Sequence, residues 1–240
     1  MRVIIHPTWK CPYTCAYCSV HALGLEKDTR ILPVSDWIRW IKALPPQTNI
    51  DISGGEPLAY PGIIELIRMI DVQLEGWGMT TNASSLALIK QIADEKFRRC
   101  LSINVSVQPQ SPPDIKERAN ILVRAGYPVS LNHVVHPASP FMKEGAAHVN
   151  YIPYQAWLEG NAVDGKKRMC DAGNQHVCVN PAGEVYRCLV EMQLGVRMLG
   201  TIAEPIGEIG VANSELCDHG CTTCYTDVPG IWLINMREVA

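Results

Sequence analysis

The chain has 240 residues, 47% hydrophobic and 19% charged, with a formal net charge of −3. That is enough for one domain with a buried core, or one domain with a small appendage. A slight acidic excess without any basic run argues against a nucleic-acid polymer as partner, since phosphate binding shows as clustered Lys and Arg. Charges break the apolar stretches, "PGIIELIRMI" among them, well short of the ~18 residues that span a bilayer, so no membrane is expected. The N-terminal "RVIIHPTWKC" lacks a signal-peptide core, and a cytoplasmic, reducing location is the expectation.

Short apolar runs predict strands at Arg2–His6, Asn49–Ser53, Gly76–Thr80, Leu101–Val107, Val129–Val135 and His148–Tyr154. Amphipathic stretches lie between them. "VSDWIRWIKAL" opens with Ser35 as a candidate N-cap, and "PGIIELIRMIDVQL" carries Pro61 near its start. "SLALIKQIADEKF" has apolar residues at helical spacing, and "PPDIKERANILVRAG" ends at Gly126, a candidate C-cap. Strands alternating with helices predict an α/β fold, a partial six-stranded (β/α) barrel of the TIM type over residues 1–155. Sites in such folds gather at the C-terminal ends of the strands.

Beyond residue 155 the pattern changes. "HVCVNPAGEVYRCL" predicts a hairpin turning at Pro181–Ala182–Gly183, and the Gly-rich "CDHGCTTC" follows. Residues 156–240 are therefore expected to form a small, metal-stapled appendage and tail.

Ten cysteines are too many to be core fillers. Three lie at 11–18, six at 170–224, and Cys100 stands alone, with core packing as its expected role. In a reducing compartment this clustering points to metal ligation rather than a disulfide framework. Cys11, Cys15 and Cys18 follow the first strand at C-x3-C-x2-C spacing. Three thiolates do not close a tetrahedral zinc site; His21 would be needed as a fourth ligand, which leaves a Cys3His zinc site as an alternative. An iron–sulfur cube held by three cysteines keeps one iron open.

With Tyr17 just before the last cysteine, this loop resembles the radical S-adenosylmethionine (SAM) superfamily. The resemblance implies a [4Fe–4S] cluster at Cys11, Cys15 and Cys18 whose open iron binds SAM, and a reductant such as flavodoxin or ferredoxin. It also implies reductive SAM cleavage to a 5′-deoxyadenosyl radical that abstracts a substrate hydrogen, with the protein excluding water and aiming the radical. "SGGEP" is similar to the family's second-strand turn, implying that Gly54, Gly55, Glu56 and Pro57 receive the SAM ammonium. "TTNAS" is similar to the family's T-N-G, bringing in Asn82, with Ala83 where glycine is usual. "VSVQ" resembles S-x-D, which implies that Ser106 meets the SAM carboxylate and leaves Gln108 in place of the aspartate. Asn132 is similar to a fifth-strand asparagine near SAM. Asn82, Ser106 and Asn132 have capping and turn roles as alternatives.

Cys170-x12-Gly183-x4-Cys188 followed by Cys221-x2-Cys224 resembles the twitch domain, a shortened SPASM domain. That implies a second, auxiliary [4Fe–4S] cluster held by Cys170, Cys188, Cys221 and Cys224. Gly183 fits a hairpin turn needing positive φ. Cys178 and Cys217 are left over, as small buried hydrophobes or as rival ligands, and alternation would set Cys178 and Cys188 facing across the hairpin. A zinc ribbon is the alternative for these cysteines.

A saturated auxiliary cluster would accept the electron left on a substrate radical, giving a two-electron oxidation. The expected substrate is a small molecule, because the chain begins at the first strand without a leader-binding domain; a peptide or a nucleoside is the alternative. A non-catalytic iron–sulfur or zinc protein is the alternative of another class. Tyr151, Tyr154 and Glu159 are candidate bases near the sixth strand and are equally readable as structural, as are His133, His136 and His148.

Overall fold

A computed structural model describes residues 1–15, 18–135, 149–153, 168–170, 176–204 and 215–217, with side chains placed over 1–15, 18–132 and 176–204. Strands β1 (Arg2–Ile5), β2 (Asn49–Ile52), β3 (Gly76–Thr81), β4 (Cys100–Val107), β5 (Val129–Val135) and β6 (Val149–Pro153) fall where alternation places them. They pair in chain order, all parallel, with Ile5 opposite Ile52, Ile52 opposite Met79 and Ser106 opposite Asn132. Parallel neighbours need crossovers. These are α2 (Val34–Ala43), α3 (Ile63–Gln73), α4 (Leu86–Glu95) and α5 (Ile115–Arg124), while α1 (Ser19–Ala22) is a short turn of helix behind the cysteine loop.

Alternation along the strands sorts residues between two faces. One face carries Val3, Ile5, Ile50, Ile52, Trp77, Met79, Ile103 and Val105 into a core completed by Trp37, Ile41, Leu66, Ile67, Ile70, Ile89 and Leu122 from the helices. Burying each such side chain contributes roughly 1.5–3 kcal/mol. Several alternate positions are polar: Asp51 pairs with Arg2 at 2.5 Å, and the Ser130 hydroxyl donates to Asn104 at 2.6 Å.

Helix ends follow local chemistry. Ser85 caps α4, its hydroxyl accepting from the Leu88 N–H at 3.4 Å. The α5 terminus is a Schellman motif: Gly126, at φ +94°, donates to Val123 O, and Tyr127 donates to Leu122 O. Ser35 is not the cap of α2. The helix starts one residue earlier, after Pro33, whose carbonyl accepts from Asp36 N–H at 3.1 Å; proline's fixed φ makes the entry and puts Ser35 inside the first turn.

The hairpin forms as β8 (His176–Val179) and β9 (Glu184–Tyr186). Its turn is held by Asn180, whose side-chain oxygen accepts from Ala182 N–H and Glu184 N–H at 3.0 Å each, and Gly183 takes φ +79°. The hairpin extends the barrel's own sheet. β8 runs parallel to β1, pairing Ile4 with Cys178, and β9 carries the antiparallel β10 (Met198–Thr201), giving the order β10-β9-β8-β1-β2-β3-β4-β5-β6. Cys178 faces Tyr186 rather than Cys188, because the Asn180 turn fixes a register that leaves Cys188 beyond the strand, at the start of α6 (Leu189–Leu194). Two short strands absent from the sequence expectation, β7 (Arg168–Cys170) and β11 (Glu215–Cys217), pair antiparallel with Cys170 opposite Glu215 and Cys217 opposite Arg168. No helix among the described residues is long and apolar enough to cross a membrane.

Candidate active site

Four loops meet at the C-terminal ends of β1 to β4. The turn after β2 docks on the chain leading into Cys11: Gly55 N–H donates to Thr8 O at 2.9 Å and Glu56 N–H to Lys10 O at 2.8 Å. The approach demands glycine. A Cβ on Gly54, which sits at φ +124°, would lie 2.5 Å from Thr8 O, and one on Gly55 would lie 2.2 Å from Trp9 O. The paired glycines thus clamp the segment that aims the cysteine loop.

Glu56 is buried, and Pro57 opens a 3₁₀ turn behind it. Its carboxylate accepts from Leu58 N–H at 3.0 Å, from Asn82 N–H at 2.6 Å and from the Thr81 hydroxyl, tying the β2 turn to the β3 turn. Burial pushes this carboxyl up to about 7, against the opposing pull of those three donors. In the β3 turn Ala83 takes φ +49°, the left-handed conformation that glycine usually fills, and it is fully buried. The conformation is over-determined. Ala83 N–H donates to Thr81 Oγ1 and Ser84 N–H to Asn82 Oδ1, both at 2.9 Å, and the Arg118 guanidinium of α5 donates to Ala83 O at 2.9 Å and Ser84 O at 2.6 Å. Thr81 and Arg118 are site-shaping residues that the sequence expectation does not single out; Thr81 is the first residue of the T-N-A motif, while nothing in the sequence marks Arg118.

The loop sulfurs are met by amides. Cys11 Sγ accepts from Tyr13 N–H and from the Asn82 side-chain amide, each at 3.4 Å. The Cys15 thiol is buried against Gln108, with the Gln110 amide oxygen at 3.7 Å. Cys18 N–H donates to Cys15 O at 3.0 Å, and Cys18 then opens α1. His21 closes the loop, its Nε2–H donating to Tyr13 O at 2.7 Å. That bond ties α1 back to the cysteine loop. Burial, ahead of the neighbouring Glu56, Cys18 and Cys15, pushes the Cys11 thiol up to about 11. A nearby cation would favour the Cys11 thiolate. Among the described residues no three His, Cys, Asp or Glu gather as a single-ion site would require. Three cysteines in one loop, with two N–H donors aimed at the Cys11 sulfur, fit an iron–sulfide cluster.

Ser106 and Asn132 stand at paired register positions on β4 and β5, two strands along from the Glu56 turn, and Asn132 is buried. Tyr17, Cys221 and Cys224 lie outside the described residues, as do His136, His148, Tyr154 and Glu159. Cys170 occupies the last position of β7.

The family model of the Radical SAM superfamily matches residues 5–139, more than half of the chain. The chain belongs to the Radical SAM superfamily. Among curated proteins it is 33% identical over 106 residues to a GTP 3′,8-cyclase of Rippkaea orientalis, a match covering 41% of this chain and 31% of that protein. It is 34% identical over 70 residues to a PqqA peptide cyclase of Rhodopseudomonas palustris, covering 28% of this chain and 18% of that one. The chain thus aligns with under a third of the length of these relatives. Among solved structures, native anSMEcpe with bound AdoMet and Cp18Cys peptide aligns with TM-score 0.61 and 16% identity over 88% of this chain and 80% of that one. Streptococcus suis SuiB bound to precursor peptide SuiA gives TM-score 0.52 and 13% identity over 88% and 64%. These likenesses establish the partial-barrel fold.

In this radical SAM protein the hairpin unit packs directly on the cysteine loop. Ile4, Trp9, Val20, Cys178, Tyr186 and Met192 form a second buried cluster, with Cys18 and Leu189 against it. The Gln193 amide of α6 donates to Ser19 Oγ at 2.9 Å. Cys178 is fully buried there and acts as a core residue. Cys188 caps α6, its sulfur accepting from Glu191 N–H at 3.5 Å, and burial pushes its thiol up to about 12. Cys100 packs against the main core.

Proposed function

We propose that the chain is a hydrogen-abstracting radical SAM enzyme that oxidises its substrate by two electrons, with an auxiliary [4Fe–4S] cluster at Cys170, Cys188, Cys221 and Cys224 as electron acceptor. The observation that carries it is the clamp of the Gly54–Gly55 turn on the lead-in to Cys11, whose sulfur accepts from Tyr13 N–H and from the Asn82 amide. Bound there, a [4Fe–4S] cluster and SAM supply the 5′-deoxyadenosyl radical that takes the substrate hydrogen.

The chain's own residues then divide the work. Cys11, Cys15, Cys18 and the neighbouring Tyr17 form the cluster loop. Gly54, Gly55, Glu56 and Pro57 present backbone carbonyls and a carboxylate to the SAM ammonium. Glu56 has two hydrogen bonds on Oε1 and one on Oε2, so Oε2 keeps a lone-pair direction for that cation. A cation there restores the charge that burial disfavours. Ser106 and Asn132 meet the polar end of SAM from adjacent strands, and Asn82 bridges SAM and the loop.

For the substrate, a peptide is favoured, because PqqA peptide cyclases of Rhodopseudomonas palustris and Gluconobacter oxydans are among the related proteins. A small molecule, the expectation from sequence, stands second, and the match to a GTP 3′,8-cyclase supports the nucleoside alternative. Reduced, reconstituted protein should release 5′-deoxyadenosine from SAM. Deuterium transfer into it from a deuterated peptide library, against deuterated GTP, separates the two. Absence of SAM cleavage by a protein with an intact, reducible cluster would remove the enzymatic reading in favour of an electron-relay protein.

A further inference from the structure

We propose that Gln108 tunes the reduction potential of the cluster held at Cys11, Cys15 and Cys18 by donating an N–H···S hydrogen bond to the Cys15 sulfur. The proposal rests on the reading that this loop binds a cluster. Gln108 stands at the C-terminal end of β4, one residue past Val107, and reaches a cysteine 93 positions away in sequence. Its backbone is pinned in both directions: Gln108 N–H donates to Ser111 Oγ, and Ser111 N–H donates to Gln108 O, each at 2.9 Å. A strand end fixed in this way delivers the side chain to a set place, as a loop would not.

As a thiol, Cys15 donates to the Gln108 amide oxygen. Sulfur bound to iron carries no proton, so the same contact then requires a donor, and a half-turn of the amide exchanges its oxygen for its NH₂ group. Asn82 already presents such a donor to Cys11. The two amides come from the ends of neighbouring strands, β3 and β4, and reach two of the three sulfurs. Reduction adds negative charge to a cluster, and N–H donors to its sulfurs stabilise that charge, which raises the potential. A carboxylate in place of Gln108 would accept and never donate while ionised, and would repel the added electron. That gives the amide at this position a physical reason. Asn82 is the poorer probe, because its Oδ1 also holds the β3 turn through Ser84 N–H.

The test is a redox titration followed by electron paramagnetic resonance on the 240-residue chain reconstituted with iron and sulfide, reading the signal that changes on SAM addition. Gln108→Met keeps the side-chain length and removes the donor; Gln108→Glu keeps the shape and adds charge. Both should shift the midpoint to more negative potential at unchanged iron content, Gln108→Glu by more. Wild-type midpoints in both loaded variants overturn the proposal. Loss of iron from both, in chains that circular dichroism shows to be folded, also overturns it, because Gln108 is then an assembly element. If only one variant loads, its midpoint decides. A wild-type chain that takes up no iron overturns the functional reading beneath it, a result distinguishable from unshifted variants.

Discussion

The backbone N–H of Asn82 donates to Oε2 of Glu56 across 2.6 Å, joining the end of β3 to the end of β2 at a buried carboxylate. The same carboxylate holds Leu58 and Thr81, and Asn82 in turn reaches Cys11. A chain of contacts thus runs from the Gly-Gly-Glu-Pro turn to the cluster loop.

Glu56→Gln breaks this junction. One amide oxygen cannot serve donors on both sides of the carboxylate, so an N–H is left facing an NH₂ group. Stability should fall by about 1.5–3 kcal/mol, the range for hydrogen bonds to charged groups, with little loss of iron and weaker SAM binding. Denaturant melts and equilibrium SAM binding measure both, and an unchanged melt would show that the junction carries no strain-relieving role.

Ala83 tests the left-handed turn. Ala83→Gly relieves a conformation costing roughly 1 kcal/mol for an L-residue but loosens the unfolded chain by a similar amount, so its midpoint should move little. Ala83→Val, β-branched and fully buried at φ +49°, should lose more than about 2 kcal/mol. Equal stabilities for the two variants would contradict the geometry.

His6 predicts an acid-sensitive component in the metal-free chain. The ring is buried, edge-on to Trp9 at 5.0 Å, and burial lowers its pKa to about 3. A depressed folded pKa means the contribution is fully present above the unfolded value near 6.5 and is lost as pH falls toward 3. Between pH 6.5 and 4.5 this amounts to roughly 2 kcal/mol. His6→Gln should remove that slope in pH-dependent denaturation; an acid dependence identical to wild type would rule it out.

Iron counts test the ligand assignment. Reconstituted chain should hold about eight irons, and changing Cys11, Cys15 and Cys18 to Ala should remove about half. One zinc per chain without iron would sink both clusters.

Cys178 and Cys188 should part company. Cys188→Ala, like changes at Cys170, Cys221 and Cys224, should cost the second cluster and destabilise the unit it staples, sparing SAM cleavage while stopping product formation. Cys178→Ala should keep all the iron and lose roughly 1 kcal/mol of packing against Ile4, Trp9 and Tyr186, and Cys217→Ala should likewise keep the iron. Loss of four irons from Cys178→Ala or Cys217→Ala would require a different ligand set.

Local chemistry decided most of what could be read in order along the chain. Short apolar runs placed all six barrel strands to within a residue or so, and Gly126 and Gly183 took the positive φ that their turns required, because these depend on a residue and its near neighbours. Spacing likewise fixed the cysteine loop. Tertiary structure decided what depends on partners distant in sequence. The two glycines at 54 and 55 are needed because Thr8 and Trp9 carbonyls press on them, and Arg118 and Gln108 gain their roles only when β3, β4 and α5 deliver them to the loops. Cys178 faces Tyr186, and the hairpin joins β1, because the register is set at Asn180 and β1 offers a sheet edge, neither of which alternation along the hairpin reveals.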